Sequence, residues 1–220
     1  MMFLKRLMTG MFSSNCYILG NAGEAAVIDP GVEFGEVRAI LEEQGLILKY
    51  IILTHAHIDH ILQMEELRSN CGGKTVIHEE DAPLLGDPML NGAAIFGLRR
   101  TFGKADLTVK AGDSLDLVGL QLEILHTPGH TPGSMCIKVE NCLFTGDTLF
   151  RQGVGRTDLG AGDHDKLMLS LKELIKLDDG LEVHPGHGSA TTIGYERENN
   201  MYTLIEKINS TGQYREKMHK

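Results

Sequence analysis

Three histidines and one aspartate fall within a six-residue stretch that directly follows an apolar, strand-like segment. The stretch lies in Thr-His-Ala-His-Ile-Asp-His at residues 54 to 60, and it contains His55, His57, Asp59 and His60. In extended backbone, His55 and His57 project to the same side, so both can reach one metal ion. Asp59 and His60 stand where the chain is expected to turn into a helix, so they point elsewhere. This spacing predicts a second ion next to the first.

Three further candidate ligands lie far along the chain, and each directly follows a glycine after a strand-like segment. They are His130, Asp147 and His187. A glycine allows a sharp turn or a close approach of the backbone, which places the next side chain at the edge of a sheet. We therefore expect the strand ends to converge on one rim. Imidazole and carboxylate groups suit zinc, iron or manganese, and catalytic sites of this kind keep a position open for water.

The segments that must position these residues alternate between strand and helix in the first half of the chain. Strand-like segments lie at 15 to 20, 25 to 29, 50 to 54 and 75 to 78, and helical spacing runs from Phe34 to Leu41 and from Ile61 to Leu67. Residues 81 to 104 have no clear period and are predicted to form a long loop near the rim. Histidines outside the motifs are predicted to be surface or satisfied core residues: His78, His126, His164 and His184.

Strand signals dominate from Leu107 to Thr145, and these segments are predicted to pair as an antiparallel meander. A helix is predicted over 163 to 177, a strand over 181 to 184, and a C-terminal helix from about Tyr195. No linker or low-complexity run interrupts the 220 residues. The sequence is therefore interpreted as one domain spanning residues 1 to 220.

The order of these motifs resembles that of the metallo-β-lactamase superfamily, whose five motifs match Asp29, the segment from His55 to His60, His130, Asp147 and His187. The resemblance implies an α/β fold of the four-layer αββα sandwich type. It implies one metal ion held by His55, His57 and His130, and a second held by Asp59, His60 and His187, with Asp147 bridging both. It further implies that Asp29 holds the ligand loop in place.

The same resemblance implies hydrolytic chemistry by a hydroxide that bridges two divalent ions, most simply zinc, with iron or manganese as alternatives. Two cations lower the pKa of the bridging water and polarise a substrate carbonyl. Asp59 is expected to orient the nucleophile as well as to bind metal.

Within the superfamily, the segments at 10 to 20, 148 to 163 and 184 to 200 are similar to those of glyoxalase II-like thioester hydrolases. Two differences separate the chain from full-length glyoxalase II. Only 33 residues follow His187, too few for a glutathione-binding helical domain, and Gly-Val-Gly-Arg-Thr-Asp stands in place of a glutathione-contacting Cys-Gly-Lys segment. Arg156 and Asp158 of this segment are candidates for the substrate pocket, or for an ion pair that orders a loop.

Three alternatives to a thioester hydrolase remain. Persulfide dioxygenases share this ligand set and a similar Gly-Arg-Thr-Asp segment, but use a single iron at the first metal position. A nuclease or lactonase of the same superfamily is the second alternative, and a metal-binding protein without catalytic activity is the third. Oxygen-reducing diiron relatives are disfavoured, because they carry a carboxylate where His57 stands.

The composition is that of an ordinary globular protein. The resemblance implies a small-molecule substrate. The net charge of -9 argues against nucleic acid as a partner. No apolar run approaches the ~20 residues that span a bilayer, and no secretory signal is recognisable, so a cytoplasmic location without membrane attachment is expected. The four cysteines show no Cys-x-x-Cys spacing and are expected to be reduced. The sequence does not indicate an oligomeric state.

Overall fold

A computed structural model describes residues 2 to 8, 12 to 159 and 161 to 204. The first sheet has six strands in the order β1-β2-β3-β4-β5-β6. Its first three strands pair antiparallel and the remaining pairs are parallel. The strands are β1 (Phe3–Leu7), β2 (Cys16–Asn21), β3 (Glu24–Ile28), β4 (Ile47–Ile52), β5 (Lys74–His78) and β6 (Leu107–Val109).

The second sheet also has six strands, β7 (Ser114–Leu117), β8 (Leu120–His126), β9 (Met135–Val139), β10 (Cys142–Gly146), β13 (Glu182–Pro185) and β14 (Thr191–Thr192). Strands β7 to β10 form an antiparallel meander, and β13 pairs parallel to β10 on the other side. A separate two-stranded ribbon joins β11 (Leu149–Phe150) to β12 (Gly153–Val154).

Among the described residues, five helices cover the outer faces of the two sheets or form the connections between strands. They are α1 (Phe34–Glu43), α2 (Ile58–Ile61), α3 (Met64–Cys71), α4 (His164–Leu174) and α5 (Ile193–Asn199). Two short 3-10 turns, Ala82–Gly86 and Ala93–Phe96, lie in the predicted loop. None of the helices in the described ranges is both long enough and apolar enough to cross a bilayer.

Alternation of side chains along the strands builds three apolar layers. On β3, Val27 packs under the helices α1 and α3, whereas Ile28 points between the two sheets. On β10, Phe144 joins Ile28 in the central layer, and Leu143 packs outward with α4. These two strands thus supply both faces with apolar groups, as the period of two requires. The result is the predicted αββα sandwich.

The predicted pairing of one strand is wrong. Residues 107 to 109 were expected in the antiparallel meander, but β6 pairs parallel to β5 at the edge of the first sheet. The long connection after β5 carries the chain back along the sheet before β6 begins, and a return of this kind produces a parallel neighbour. The remaining meander is confirmed from β7 to β10. The part of the predicted C-terminal helix beyond residue 204 lies outside the described residues.

Two isoleucines of β4 provide a matched test of this layering. Ile51 is fully buried in the layer under the helices, whereas Ile47 is 74% exposed. We expect Ile51→Ala to lower the free energy of unfolding by about 2–5 kcal/mol, because it leaves a cavity. Ile47→Ala should change it by no more than about 0.5 kcal/mol. Urea denaturation of the chelator-treated protein measures both, and equal losses would contradict the described layers.

Candidate metal centre

The ends of four strands from both sheets meet at one edge of the sandwich. The segment from Thr54 to His60 follows β4 of the first sheet, and the loops after β8, β10 and β13 carry His130, Asp147 and His187. The backbone comes close at this edge, because a Cβ on Gly186 would lie 2.2 Å from Oδ1 of Asp147. Only glycine therefore fits before His187. All seven predicted side chains come together here.

The first group consists of three buried imidazoles. Nδ1 of His57 lies 2.8 Å from Nε2 of His130, which in turn lies 3.2 Å from Nε2 of His55. Nδ1 of His130 lies 2.7 Å from the carbonyl oxygen of Arg156, so this nitrogen carries the proton and donates it there. Nε2 of His130 then presents a lone pair to the other two rings. Converging ring nitrogens of this kind suit a shared cation.

The second group combines two imidazoles with one carboxylate. Nε2 of His187 lies 3.0 Å from Oδ2 of Asp59, and Nε2 of His60 lies 3.3 Å from the same oxygen. The two imidazole nitrogens are themselves 3.3 Å apart. This group differs from the first by its negative charge and by its greater exposure at His187.

Asp147 lies between the two groups. Its Oδ1 is 3.3 Å from Nε2 of His60, and its Oδ2 is 3.6 Å from Nε2 of His130 and 3.7 Å from Nε2 of His187. Oδ1 is buried and has no hydrogen bond of good geometry. Leaving such an oxygen unpaired is costly in a protein without a bound cation. The donor set and this unpaired oxygen fit a pair of divalent ions.

Asp29 connects the two groups through hydrogen bonds. Its Oδ1 accepts from the backbone N–H of Thr54 at 2.8 Å, and its Oδ2 accepts from the Thr54 hydroxyl at 2.7 Å and from Nδ1 of His60 at 2.9 Å. Because the Thr54 hydroxyl proton is used on Asp29, its oxygen accepts from Nδ1 of His55 at 3.0 Å. The Nε2 atoms of His55 and His60 are therefore left out of these hydrogen bonds and face the centre, where each could bind a cation.

The charges at the centre divide it into two halves. Burial, and then the neighbouring imidazoles, lower the pKa of His55 well below its usual value, and burial lowers that of His57 to about 3. Burial alone would lower the pKa of His60. The nearby carboxylates of Asp59 and Asp147 have the larger effect and hold the His60 pKa well above its usual value. His55 and His57 of the first half are thus held neutral, whereas the second half favours a positive charge.

Asp81 supports the site, although it is not among the residues predicted from the sequence. Fully buried after β5, it accepts hydrogen bonds from the backbone N–H of Ala56 at 2.9 Å and of Gly133 at 2.6 Å, and from the Thr131 hydroxyl at 2.8 Å. It thereby ties the His55–His60 loop to the His130 loop. The available signal was its position after a strand, which it shares with Asp29.

A cavity of about 410 Å³ opens onto both halves of the centre, because His57 and His130 of the first group line it as well as Asp59 and His187 of the second. Asp59 and Arg156 lie in its wall, and most of the remaining wall is apolar: Ile58, Ile95, Phe96, Phe150, Val154 and Leu159. Arg156 also forms a two-point ion pair with Asp158 at 2.6 and 2.7 Å, which lowers the pKa of Asp158 to about 2. Asp158 is not among the described wall residues. Arg156 thus lines the cavity and also forms the predicted ion pair, whereas Asp158 takes part in the ion pair only.

The family model described as the metallo-beta-lactamase superfamily matches residues 9 to 187. The chain belongs to this superfamily. It is 36% identical over 197 residues to hydroxyacylglutathione hydrolase GloC of Haemophilus influenzae, covering 87% of this chain and 93% of that protein. Membership agrees with the fold and with the order of the motifs around the centre.

Solved structures agree with this assignment. The BLEG-1 B3 metallo-beta-lactamase superposes with a TM-score of 0.87 at 35% identity, covering 91% of this chain and 99% of that one. TTHA1623 in a di-iron-bound form gives 0.79 at 35% identity, with 90% and 99% covered. ETHE1 from Myxococcus xanthus gives 0.77 at 28% identity, with 90% and 83% covered.

The hydrogen bonds of Asp29 lead to a prediction for metal affinity. Asp29→Ala removes the acceptor that orients His60 directly and His55 through Thr54, so we expect metal affinity to fall about 10–100-fold. Competition with a chromogenic chelator measures this change. Asp165→Ala, at an exposed position on α4, serves as the control and should leave affinity unchanged. Equal affinity of the two variants would show that Asp29 does not position these ligands.

Proposed function

We propose that the protein is a metal-dependent hydrolase that uses two divalent ions to cleave a small thioester, as glyoxalase II-like enzymes do. The observation that carries this proposal is the position of Asp147. One of its oxygens faces the imidazole of His60 in the second group, and the other faces the imidazole of His130 in the first group. A carboxylate in that position is suited to bridge two ions.

The proposed ligands follow the two groups. His55, His57 and His130 would hold the first ion, and Asp59, His60 and His187 the second. Both groups have a ligand count that leaves room for water and substrate. Zinc is the simplest occupant, and iron or manganese suits the same donors. The di-iron form of TTHA1623 supports iron as an alternative.

When bound, two such cations supply a hydroxide near neutral pH and polarise the carbonyl under attack. Asp59 has a role in orienting the attacking water in addition to binding metal. It lies in the cavity wall, and its carboxylate is ionised. Burial would raise the pKa of Asp59, but the imidazole of His60 and the hydrogen bond from His187 hold it well below normal. Its carboxylate can therefore accept a hydrogen bond from the attacking water and fix its direction.

The cavity supports a small thioester as substrate. Its volume of about 410 Å³ lies within the range of small-molecule sites, and its apolar wall suits an acyl or thiol portion. Arg156 offers a single cation for a carboxylate or phosphate on the substrate. The name of the GloC relative supports a thioester bond as the group that is cleaved. We propose no contact with nucleic acid or with membranes.

A mononuclear-iron persulfide dioxygenase is the second candidate. It is favoured by the three imidazoles of the first group, which can hold one iron without the second group. The likeness to ETHE1 at 28% identity keeps this candidate open. A lactonase or nuclease is a less favoured alternative, and the likeness to BLEG-1 makes β-lactams a further substrate class to assay.

Elemental analysis and activity measurements distinguish these candidates. We expect about two divalent ions per chain and hydrolysis of small thioesters that stops on treatment with a chelator and returns when metal is added. Thioesters with and without glutathione as the thiol should be compared. One iron per chain, together with oxygen consumption in the presence of glutathione persulfide, would establish the dioxygenase instead.

Asp147→Ala tests the bridging position directly. Loss of a carboxylate shared by both halves should reduce the metal content from about two ions per chain to about one, and thioester hydrolysis should fall by about 100-fold or more. Asp158→Ala is the control, since Asp158 contacts Arg156 but no candidate ligand atom, and it should retain two ions. Two tightly bound ions in Asp147→Ala would rule out the bridging role.

A further inference from the structure

A second type of metal-ligating group lies at the opposite end of the second sheet. Cys142 begins β10 and Glu182 begins the parallel strand β13, and the two residues are direct partners in the register. His184 follows two residues after Glu182, on the same face of the strand. With a rise of 3.3 Å per residue, Cys142 is about 16 Å along the strand from Asp147. The catalytic edge therefore does not include this group.

The three side chains converge on a common volume. Their ligand atoms, a thiol sulfur, a carboxylate oxygen and an imidazole nitrogen, all lie within 4.8 Å of one another. Nε2 of His184 lies 3.8 Å from Oε2 of Glu182. In tetrahedral zinc sites, bond lengths of 2.0–2.3 Å place neighbouring ligand atoms roughly 3.3–3.8 Å apart. Small side-chain rotations would bring all three within bonding distance of one ion.

His184 provides a second, independent observation. Its Nε2 is buried and has no hydrogen-bond partner among the described atoms. The ring is held from both sides, because it stacks on Phe144 with centroids 5.1 Å apart and meets the edge of Tyr17 at 5.5 Å. A fixed imidazole with an unsatisfied buried nitrogen costs free energy unless something binds there. Among the described atoms, Nε2 of His184 therefore lacks the partner that the prediction of a satisfied core residue requires, and the same holds for Nε2 of His78.

The surrounding charge favours a cation. Burial, followed by the carboxylates of Glu182 and Glu140, raises the pKa of the Cys142 thiol. Glu182 is exposed, so it gives an ion a path from solvent. The pKa of His184 is lowered by burial and raised by the carboxylate of Glu182, and the guanidinium of Arg6 lowers it further. Arg6 donates a hydrogen bond to the carbonyl oxygen of Gly188 at 3.1 Å.

We propose that Cys142, Glu182 and His184 bind one divalent ion of borderline softness, such as zinc, in addition to the catalytic pair. The Cys142 thiol gives up its proton to solvent as the sulfur–metal bond forms, so binding releases one proton and involves no oxidation. Water completes the fourth position. The ion joins β10 to β13, the two strands whose far ends carry Asp147 and His187.

Another histidine group in the structure is less suited to a metal. His78, Glu80 and His126 also lie close together. However, the His78 and His126 rings stack face to face, with centroids 3.9 Å apart and planes only 12° apart. The nitrogen lone pairs of two such rings lie in nearly parallel planes and do not converge on one ion. Nε2 of His126 also lies 2.9 Å from the carbonyl of Pro132, to which it donates. The Cys142 group has no comparable obstacle.

Cadmium gives a signal specific to this site. A cadmium–thiolate bond produces an ultraviolet charge-transfer band, and the proposed catalytic ligands include no sulfur. We therefore expect holoprotein with its catalytic ions in place to take up about one further cadmium ion and to develop this band. Cys142→Ser should lose both the band and the extra ion, and Glu182→Gln should bind the ion at least about 10-fold more weakly.

Cys71→Ser is the matched control. Cys71 is partly buried and has a carboxylate nearby, that of Glu42, but belongs to none of the candidate metal groups among the described residues. It should keep the band. If Cys142→Ser does not fold, protection of Cys142 from alkylation by zinc in the wild-type protein, read by mass spectrometry, tests the same contact. Absence of the band, its survival in Cys142→Ser, or alkylation unaffected by zinc would overturn the proposal. None of these measurements uses thioesterase activity, so a failure of this proposal can be distinguished from a failure of the proposed function.

Discussion

The site depends on one constraint, namely that ring nitrogens and carboxylate oxygens must face one another in a buried space. Five imidazoles and two carboxylates direct ring nitrogens and oxygens toward each other at separations of 2.8 to 3.7 Å. Desolvation alone would favour neutral, dispersed groups. The fold instead fixes these atoms from behind, through Asp29 for His55 and His60 and through the Arg156 carbonyl for His130. A bound cation is what would turn this unfavourable arrangement into a stable one.

Backbone proximity makes this arrangement possible. The centre draws on both sheets, so loops from β4 and from β10 and β13 must approach one another closely. Gly146, at a φ of 46°, lies where a Cβ would stand 2.4 Å from the Thr54 hydroxyl, the group that links Asp29 to His55. The glycine before Asp147 therefore serves two purposes, because it allows the left-handed turn and leaves room for the threonine.

Most of the site could be predicted from sequence because its ligands follow strands, and the ends of strands in a sandwich collect at shared edges. The layers were predicted only through the resemblance of the motif order to the metallo-β-lactamase superfamily, although alternation within each strand is what builds them. Reasoning from the sequence failed where the answer depends on a partner distant in sequence. The pattern at 107 to 109 indicates a strand but not its neighbour, and β6 joins β5. Asp81 has no distinctive spacing, and its importance lies in contacts with residues 56, 131 and 133.

The candidate ligands and the cavity wall come from different parts of this fold. The candidate ligands stand at strand ends that are hydrogen-bonded on both sides, which limits their movement. The cavity wall comes mainly from connections: Ile95 and Phe96 lie on a 3-10 turn, and Phe150 and Val154 on a two-stranded ribbon. Ile95 and Phe96 are themselves more than half exposed. Among the described residues, no candidate ligand side chain forms a hydrogen bond with the 3-10 turn or with the ribbon. Substitutions in these two segments can therefore reshape the cavity without displacing a ligand. Arg156 is different, because its carbonyl oxygen accepts a hydrogen bond from His130. A superfamily built in this way can keep one metal centre while its substrates differ, so the identity of the substrate must be sought in the cavity wall rather than in the ligands.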